Sequence, residues 1–133
     1  MSVEIGDPQG QRWERVEALV NTGATYTTLP ASLLRRLGVV PHDRASFRLG
    51  DGGRIELEIG RTWVRIGANG EFSLVVFGQG ASEPLLGAVT LEEFRLAPDP
   101  LVQRLVPVDA LLLRLSTEHT ERAKAVYAPR QTS

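Results

Sequence analysis

The stretch from Ala18 to Pro30, ALVNTGATYTTLP, constrains what this chain can fold into more than any other part of it. Val16, Ala18 and Val20 alternate with the charged Arg15 and Glu17, so RWERVEALV has the pattern of a half-buried strand. The strand runs into a tight bend, Asn21-Thr22-Gly23, and a second β-like stretch rich in threonine follows. LPASLLRRLG then predicts a short helix. Pro30 suits its first turn, Leu33, Leu34 and Leu37 share one face, Arg35 and Arg36 sit at the negative end, and Gly38 closes it. Alone, Asn-Thr-Gly is an ordinary loop, because each residue type is common in turns. Its meaning depends on its flanks.

Those flanks are β. Residues 1–12 hold the turn formers Gly6, Asp7, Pro8 and Gly10 and predict an opening hairpin or a ragged strand. Ile55, Leu57 and Ile59 alternate with Arg54, Glu56 and Glu58. With SFRLG before them and Asp51-Gly52-Gly53 between, they predict a hairpin. A second hairpin is expected over TWVRIGANGEFSLVVF, turning at Ala68-Asn69-Gly70, since Asn-Gly tolerates φ > 0 at both turn centres. After GQGASEP and Leu85-Leu86-Gly87, Thr90 and Glu93 have the spacing of a capping box. They predict a helix that opens at Thr90 and ends by Pro98. PLVQRLVPVDALLLRLS is expected to hold one or two closing strands, with Leu111-Leu112-Leu113 in a core or an interface. The organisation expected is one domain over 1–115 and a polar, frayed tail over 116–133.

Composition narrows the classes. A chain of 133 residues with 42% hydrophobic and 23% charged residues is globular rather than disordered. Its net charge of -1 comes from scattered charges, so neither nucleic acid nor an anionic membrane is an expected partner. No apolar run approaches the roughly 18 residues of a bilayer span. The start lacks a secretory pattern, which makes the cytoplasm the default location. Zero cysteines exclude a disulfide scaffold, a thiol nucleophile and thiolate metal sites. His42 and His119, the two histidines, lie one after a proline and one in the tail and do not have the spacing of a metal pair, so no metal is expected.

With an aspartate at position 21, the opening stretch would carry the active-site signature of the retropepsin-like (retroviral-type) aspartic peptidases. That signature is an apolar strand, Asp-Thr-Gly-Ala, then Thr or Ser three residues on and an aliphatic residue, here Thr27 and Leu29. Glu83-Pro84-Leu85-Leu86-Gly87 and the following helix resemble the family's second landmark, and the two hairpins lie where the family has its flap and further strands. The resemblance covers about residues 13–108 and is closest to small prokaryotic members of clan AA. It implies an all-β-dominant, closed-barrel-like acid-protease fold with two short helices. It also implies a homodimer, a peptide or unfolded protein as substrate, and no cofactor. Under it, Asn21, Thr22 and Gly23 form the catalytic loop, with Thr22 clamping the two loops across the axis. Ala24 and Thr25 border the peptide groove, Thr27 supports the loop, Asp51, Gly52 and Gly53 form the flap tip, and Leu86 and Gly87 line the floor of the groove, where Leu86 meets substrate, and pack beneath the loop.

Hydrolysis in this class uses two facing carboxylates that share one proton, because adjacent like charges cannot both ionise. One draws a proton from water and the other polarises the carbonyl. One copy of the motif per chain means that the second acid would come from a second subunit, and the weak echo at Leu85-Leu86-Gly87 holds no acid. Asn21 breaks the pattern. Its carboxamide has nearly the shape of the acid but is neutral and cannot act as a base. The chain as written is therefore expected to bind peptide without cutting it. Asn21 is either an introduced, inactivating substitution or a natural loss that leaves a peptide-binding, regulatory pseudoprotease. None of Asp43, Asp51, Asp99 and Asp109 follows an apolar strand into a Thr-Gly turn, so none replaces the missing acid.

Overall fold

A computed structural model describes residues 1–99, 101 and 104–107. It divides after Phe94 into two units. In the first, the alternating segment after Trp13 does form strand, but it serves two partners. β1 (Ser2–Gly6) pairs antiparallel with β2 (Trp13–Glu17), so the opening hairpin is present. Ala18 is buried and still pairs with Met1, its N–H donating to the Met1 carbonyl at 2.8 Å. Past it, β3 (Leu19–Val20) turns to a parallel pairing with β8 (Leu85–Leu86).

β4 (Thr27–Pro30) leads directly into α1 (Ala31–Arg36), with Pro30 at the N-cap. The helix ends with both bonds of a Schellman motif: Gly38 N–H to Arg35 O at 3.0 Å, and Val39 N–H to Leu34 O at 2.9 Å. Leu33, Leu34 and Leu37 are all buried, as their shared face predicts. Arg35 and Arg36 stay exposed and reach Glu58 at 2.9 Å and Glu14 at 2.6 Å.

β5 (Asp43–Arg48) and β6 (Arg54–Ile66) form the first hairpin, and β6 continues into a second with β7 (Asn69–Gly78). That second turn is centred elsewhere than expected. Ile66 faces Asn69, so Gly67-Ala68 is the two-residue loop and Asn69-Gly70 is already strand. Gly67 has φ +60 and Ala68 is not at positive φ, which fits the turn with glycine at its first centre.

The helix α2 (Ala88–Glu93) also departs from expectation. It opens two residues before Thr90, with Gly87 at its N-cap and no side-chain cap. It ends at Phe94, and Pro98 belongs to a strand rather than to its stop.

The strand order is β2-β1-β6-β7-β4-β8-β3, with β5 on β6. The ends of this path, β2 and β3, are separated in sequence by Ala18 alone. A single residue spans only about 3.5 Å, so the sheet must bend back until its ends meet. The expected closed barrel is therefore not a ring of ladders. Among the described residues the ladder is an open path, and the chain itself joins its ends. Val3, Ile5, Leu29, Leu34, Val64, Val75, Phe77, Leu86 and Leu91 fill the interior of this unit.

The second unit, from Arg95, contains an antiparallel hairpin of β9 (Leu96–Asp99) and β10 (Arg104–Pro107). This accounts for the start of the expected closing strands. Leu111-Leu112-Leu113, the boundary at 115 and the tail lie outside the described residues. All β-dominant with two short helices, the expected class holds for what is described. No helix among the described residues is long and apolar enough to cross a membrane.

Asp7 ties the opening β1–β2 hairpin. Its Oδ1 accepts the N–H groups of Gln11 at 2.6 Å and Arg12 at 3.0 Å. The Arg12 N–H foremost, then the Gln11 N–H and the Arg12 charge, hold its carboxyl below the ordinary value, while burial opposes them. The folded pKa thus lies below the unfolded one, near 3.9. The stabilisation is complete above that unfolded value and is lost as pH falls through the folded one. Asp7→Ala should lower the urea midpoint at neutral pH, and the gap from the parent should narrow below about pH 4. A gap that does not change with pH would show that the Asp7 charge is not what ties the turn.

Candidate active-site loop

Because β3 and β4 lie on opposite sides of β8, the loop joining them must pass over the C-terminal end of β8. That loop is residues 21–26. It holds Asn21, Thr22, Gly23, Ala24 and Thr25 together on one side of the Leu86-Gly87 peptide, so five of the predicted site residues form a single surface feature.

The loop is held from beneath by backbone. Asn21 N–H donates to Leu86 O at 3.0 Å, and Ala24 N–H to Asn21 O at 3.1 Å. Helix α2 supplies two more donors: Ala88 N–H to Ala24 O at 2.8 Å and Val89 N–H to Thr25 O at 2.9 Å. A helix start leaves N–H groups without intrahelical partners, and here the loop's carbonyls accept them. This is why α2 needs no side-chain cap. The approach is close enough to dictate the residue at 87: a Cβ there would lie 2.5 Å from the backbone carbon and 2.6 Å from the oxygen of Tyr26.

On its outer side the loop is open. Asn21, Thr22, Gly23 and Thr25 are exposed and Ala24 is half-buried. Asn21 Oδ1 accepts the Gly23 N–H at 2.9 Å, a local turn that fixes the carboxamide. Leu86, by contrast, is fully buried, and it meets residue 21 through its carbonyl.

Asp51, Gly52 and Gly53 sit at the tip of the β5–β6 hairpin. Asp51 Oδ1 accepts the Gly53 N–H at 2.9 Å, and Leu49 N–H donates to Gly53 O at 2.7 Å. Among the described residues no hydrogen bond or ion pair joins this tip to the loop. The hairpin touches the loop lower down, where Tyr26 and Phe47 meet edge to face at 6.0 Å. Its register separates two faces. Phe47, Ile55, Leu57 and Ile59 are half-buried on the one that carries the Tyr26 contact, while Arg44 pairs with Glu56 on the other.

A buried polar cluster lies behind the loop, and sequence reasoning missed most of it. Thr27, Ser73 and Thr90 are each fully buried. Thr27 Oγ1 accepts the Gly87 N–H at 3.1 Å and donates to Thr90 Oγ1 at 2.5 Å. Ser73 Oγ lies 2.9 Å from Thr90 Oγ1 and donates to Glu93 Oε1 at 2.6 Å. Thr90, expected to cap a helix, instead turns into the core, and the half-buried Glu93 reaches Ser73. One signal was available in the sequence. Thr27 is in phase with Leu29, and Ser73 with Val75 and Phe77, so hydroxyls stand where the strand alternation calls for apolar side chains.

No protein-family model and no curated protein matches this chain in sequence. Among solved structures it is similar to the solution structure of simian foamy virus (mac) protease. The TM-score is 0.52 at 16% identity, over 74% of this chain and 98% of that one. The fold is that of a retroviral-type protease. In it, the loop over β8 and the α2 start form the frame described above.

Gly87→Ala should destabilise the chain by about 3 kcal/mol, the upper range for overpacking, because the obstructing atoms are backbone. Thermal or urea unfolding would measure it, and a loss below about 1 kcal/mol would mean that the loop and α2 are not packed this tightly.

Proposed function

We propose that this chain is built as one half of a retropepsin-like aspartic peptidase of the prokaryotic clan AA type. Residue 21 stands at the twofold axis of a homodimer and an extended peptide lies across the loops. The observation that carries the reading is the 21–26 bend, with residue 21 exposed on top and anchored below by Leu86 and α2. Each chain has one such bend, so a two-sided centre needs two chains.

With aspartate at 21 in both subunits, one carboxylate would take the proton of a bound water and its protonated mate would polarise the scissile carbonyl. Asparagine keeps the shape and removes the base. Its carboxamide can hold a water and donate a hydrogen bond, but it cannot deprotonate the water. Loss of the base alone is worth roughly 10² to 10⁴ in rate. The chain with Asn21 therefore binds peptide and does not cut it. Thr22 is the cross-axis clamp, Ala24 and Thr25 edge the groove, and the Asp51-Gly52-Gly53 tip closes over the peptide.

A second reading has its own support. The Asn21 carboxamide oxygen accepts the Gly23 N–H, and the rest of the frame is intact around it. This suits a natural pseudoprotease that uses the groove as a peptide-recognition surface. The codon at position 21 in the source gene separates the two: aspartate means a substituted enzyme, asparagine a natural binding protein.

The functional test is Asn21→Asp assayed beside the chain as given, on an unfolded protein and on a peptide library at acid to neutral pH. The substituted chain should cleave, a statine-type transition-state mimic should block it, and the parent should show no turnover. An Asn21→Asp chain that is folded and dimeric yet cuts nothing would overturn the peptidase reading. A stable monomer in sedimentation would overturn the shared centre.

A further inference from the structure

The hydrogen bonds behind the loop do more than fill a polar hole, because they can be read in one direction. Asn21 N–H donates to Leu86 O at 3.0 Å. The N–H of that same peptide unit, on Gly87, donates to Thr27 Oγ1 at 3.1 Å. Thr27 donates to Thr90 at 2.5 Å. Ser73 commits its proton to Glu93 Oε1 at 2.6 Å, so in the 2.9 Å pair of Ser73 and Thr90 it is Thr90 that donates. Each of the three hydroxyls accepts one bond and donates one. The chain begins at the backbone of residue 21 and ends on a carboxylate.

We infer that Glu93 is a positioning residue for the site: its carboxylate orients the Ser73, Thr90 and Thr27 hydroxyls and through them fixes the Leu86-Gly87 peptide that holds residue 21. The physical reason is directional. A hydroxyl proton rotates to suit its surroundings, so three buried hydroxyls in a row have two senses of orientation. The Gly87 N–H can only donate, which forces Thr27 to accept at one end. An acceptor-only group at the other end selects the same sense, leaving no buried donor facing a donor. Bonds aligned head to tail also polarise one another in a low-dielectric interior. Thr27, Ser73 and Thr90 come from β4, β7 and α2, so the chain ties three elements to one peptide plane. The inference rests on the reading of residue 21 as the centre of the site, and it adds the last residue of α2 to what that centre requires.

The test is amide hydrogen exchange by NMR on the full chain, comparing the parent with Glu93→Ala, Glu93→Gln, Ser73→Ala and, as a control on the same helix, Glu92→Ala. Glu93→Ala and Ser73→Ala should each speed exchange at Asn21 and Gly87 about tenfold, the effect of losing one charge-assisted bond. Amides of the β1–β2 hairpin should keep their rates. Glu93→Gln retains an acceptor oxygen and should restore protection, and Glu92→Ala should change nothing. Unchanged exchange at Asn21 in Glu93→Ala, or faster exchange at every amide alike, would overturn the inference. In the Asn21→Asp background, Glu93→Ala should lower kcat with KM retained, and Glu93→Gln should recover it. An Asn21→Asp chain that cuts nothing would count against the proposed function, and the exchange comparison would still decide the role of Glu93.

Discussion

The Leu86-Gly87 peptide is gripped from both sides, and the arrangement of the site follows from that grip. Its carbonyl takes the Asn21 N–H, its N–H goes to Thr27, and its Cα has no room for a side chain beside Tyr26. A loop that must cross the end of a strand exposes its own backbone groups at the crossing, and each one buried without a partner costs about 1–3 kcal/mol. Here the strand end and the first turn of α2 supply those partners. The loop can therefore be tight, glycine-containing and open on its outer side without being loose.

The polar interior behind the loop follows from the same geometry. A strand end, a loop and a helix start converge there, and the Gly87 N–H goes to a side chain rather than to a carbonyl. Three hydroxyls pass that bond on to one carboxylate, and no buried side-chain polar atom among the described residues lacks a partner. An all-apolar filling would have left the Gly87 N–H without an acceptor. The cost is context dependence. Removing any one hydroxyl strands its neighbours, which is the penalty expected of a partly satisfied buried network.

Much of this was legible in the sequence where local rules act alone. The β4-to-α1 passage, the three-leucine face of α1 and both hairpins follow from alternation, proline and glycine. Legibility failed where two local rules competed or where a distant partner intervened. Gly67-Ala68 and Asn69-Gly70 both offer a turn centre. The two registers keep the same residues facing inward, so alternation cannot separate them. The observed one places Trp63 opposite Phe72, with their rings 5.3 Å apart. Thr90 and Glu93 satisfy a capping pattern, yet loop carbonyls take the Ala88 and Val89 N–H groups and Thr27 takes that of Gly87, which leaves both side chains to bond Ser73. The loop itself was readable because its chemistry is local, whereas its support from Ser73 and Glu93 is not.

The central claim is that residue 21 of one chain faces residue 21 of another. The chain contains no cysteine, so an introduced one reports without interference. Asn21→Cys oxidised under non-denaturing conditions tests the claim most directly, because a disulfide forms only when the two Cα atoms come within about 7 Å. The account predicts rapid conversion to a covalent dimer, with Ser32→Cys on the exposed side of α1 remaining unlinked. Failure of Asn21→Cys to link while the protein is dimeric, or equal linking by Ser32→Cys, would contradict it.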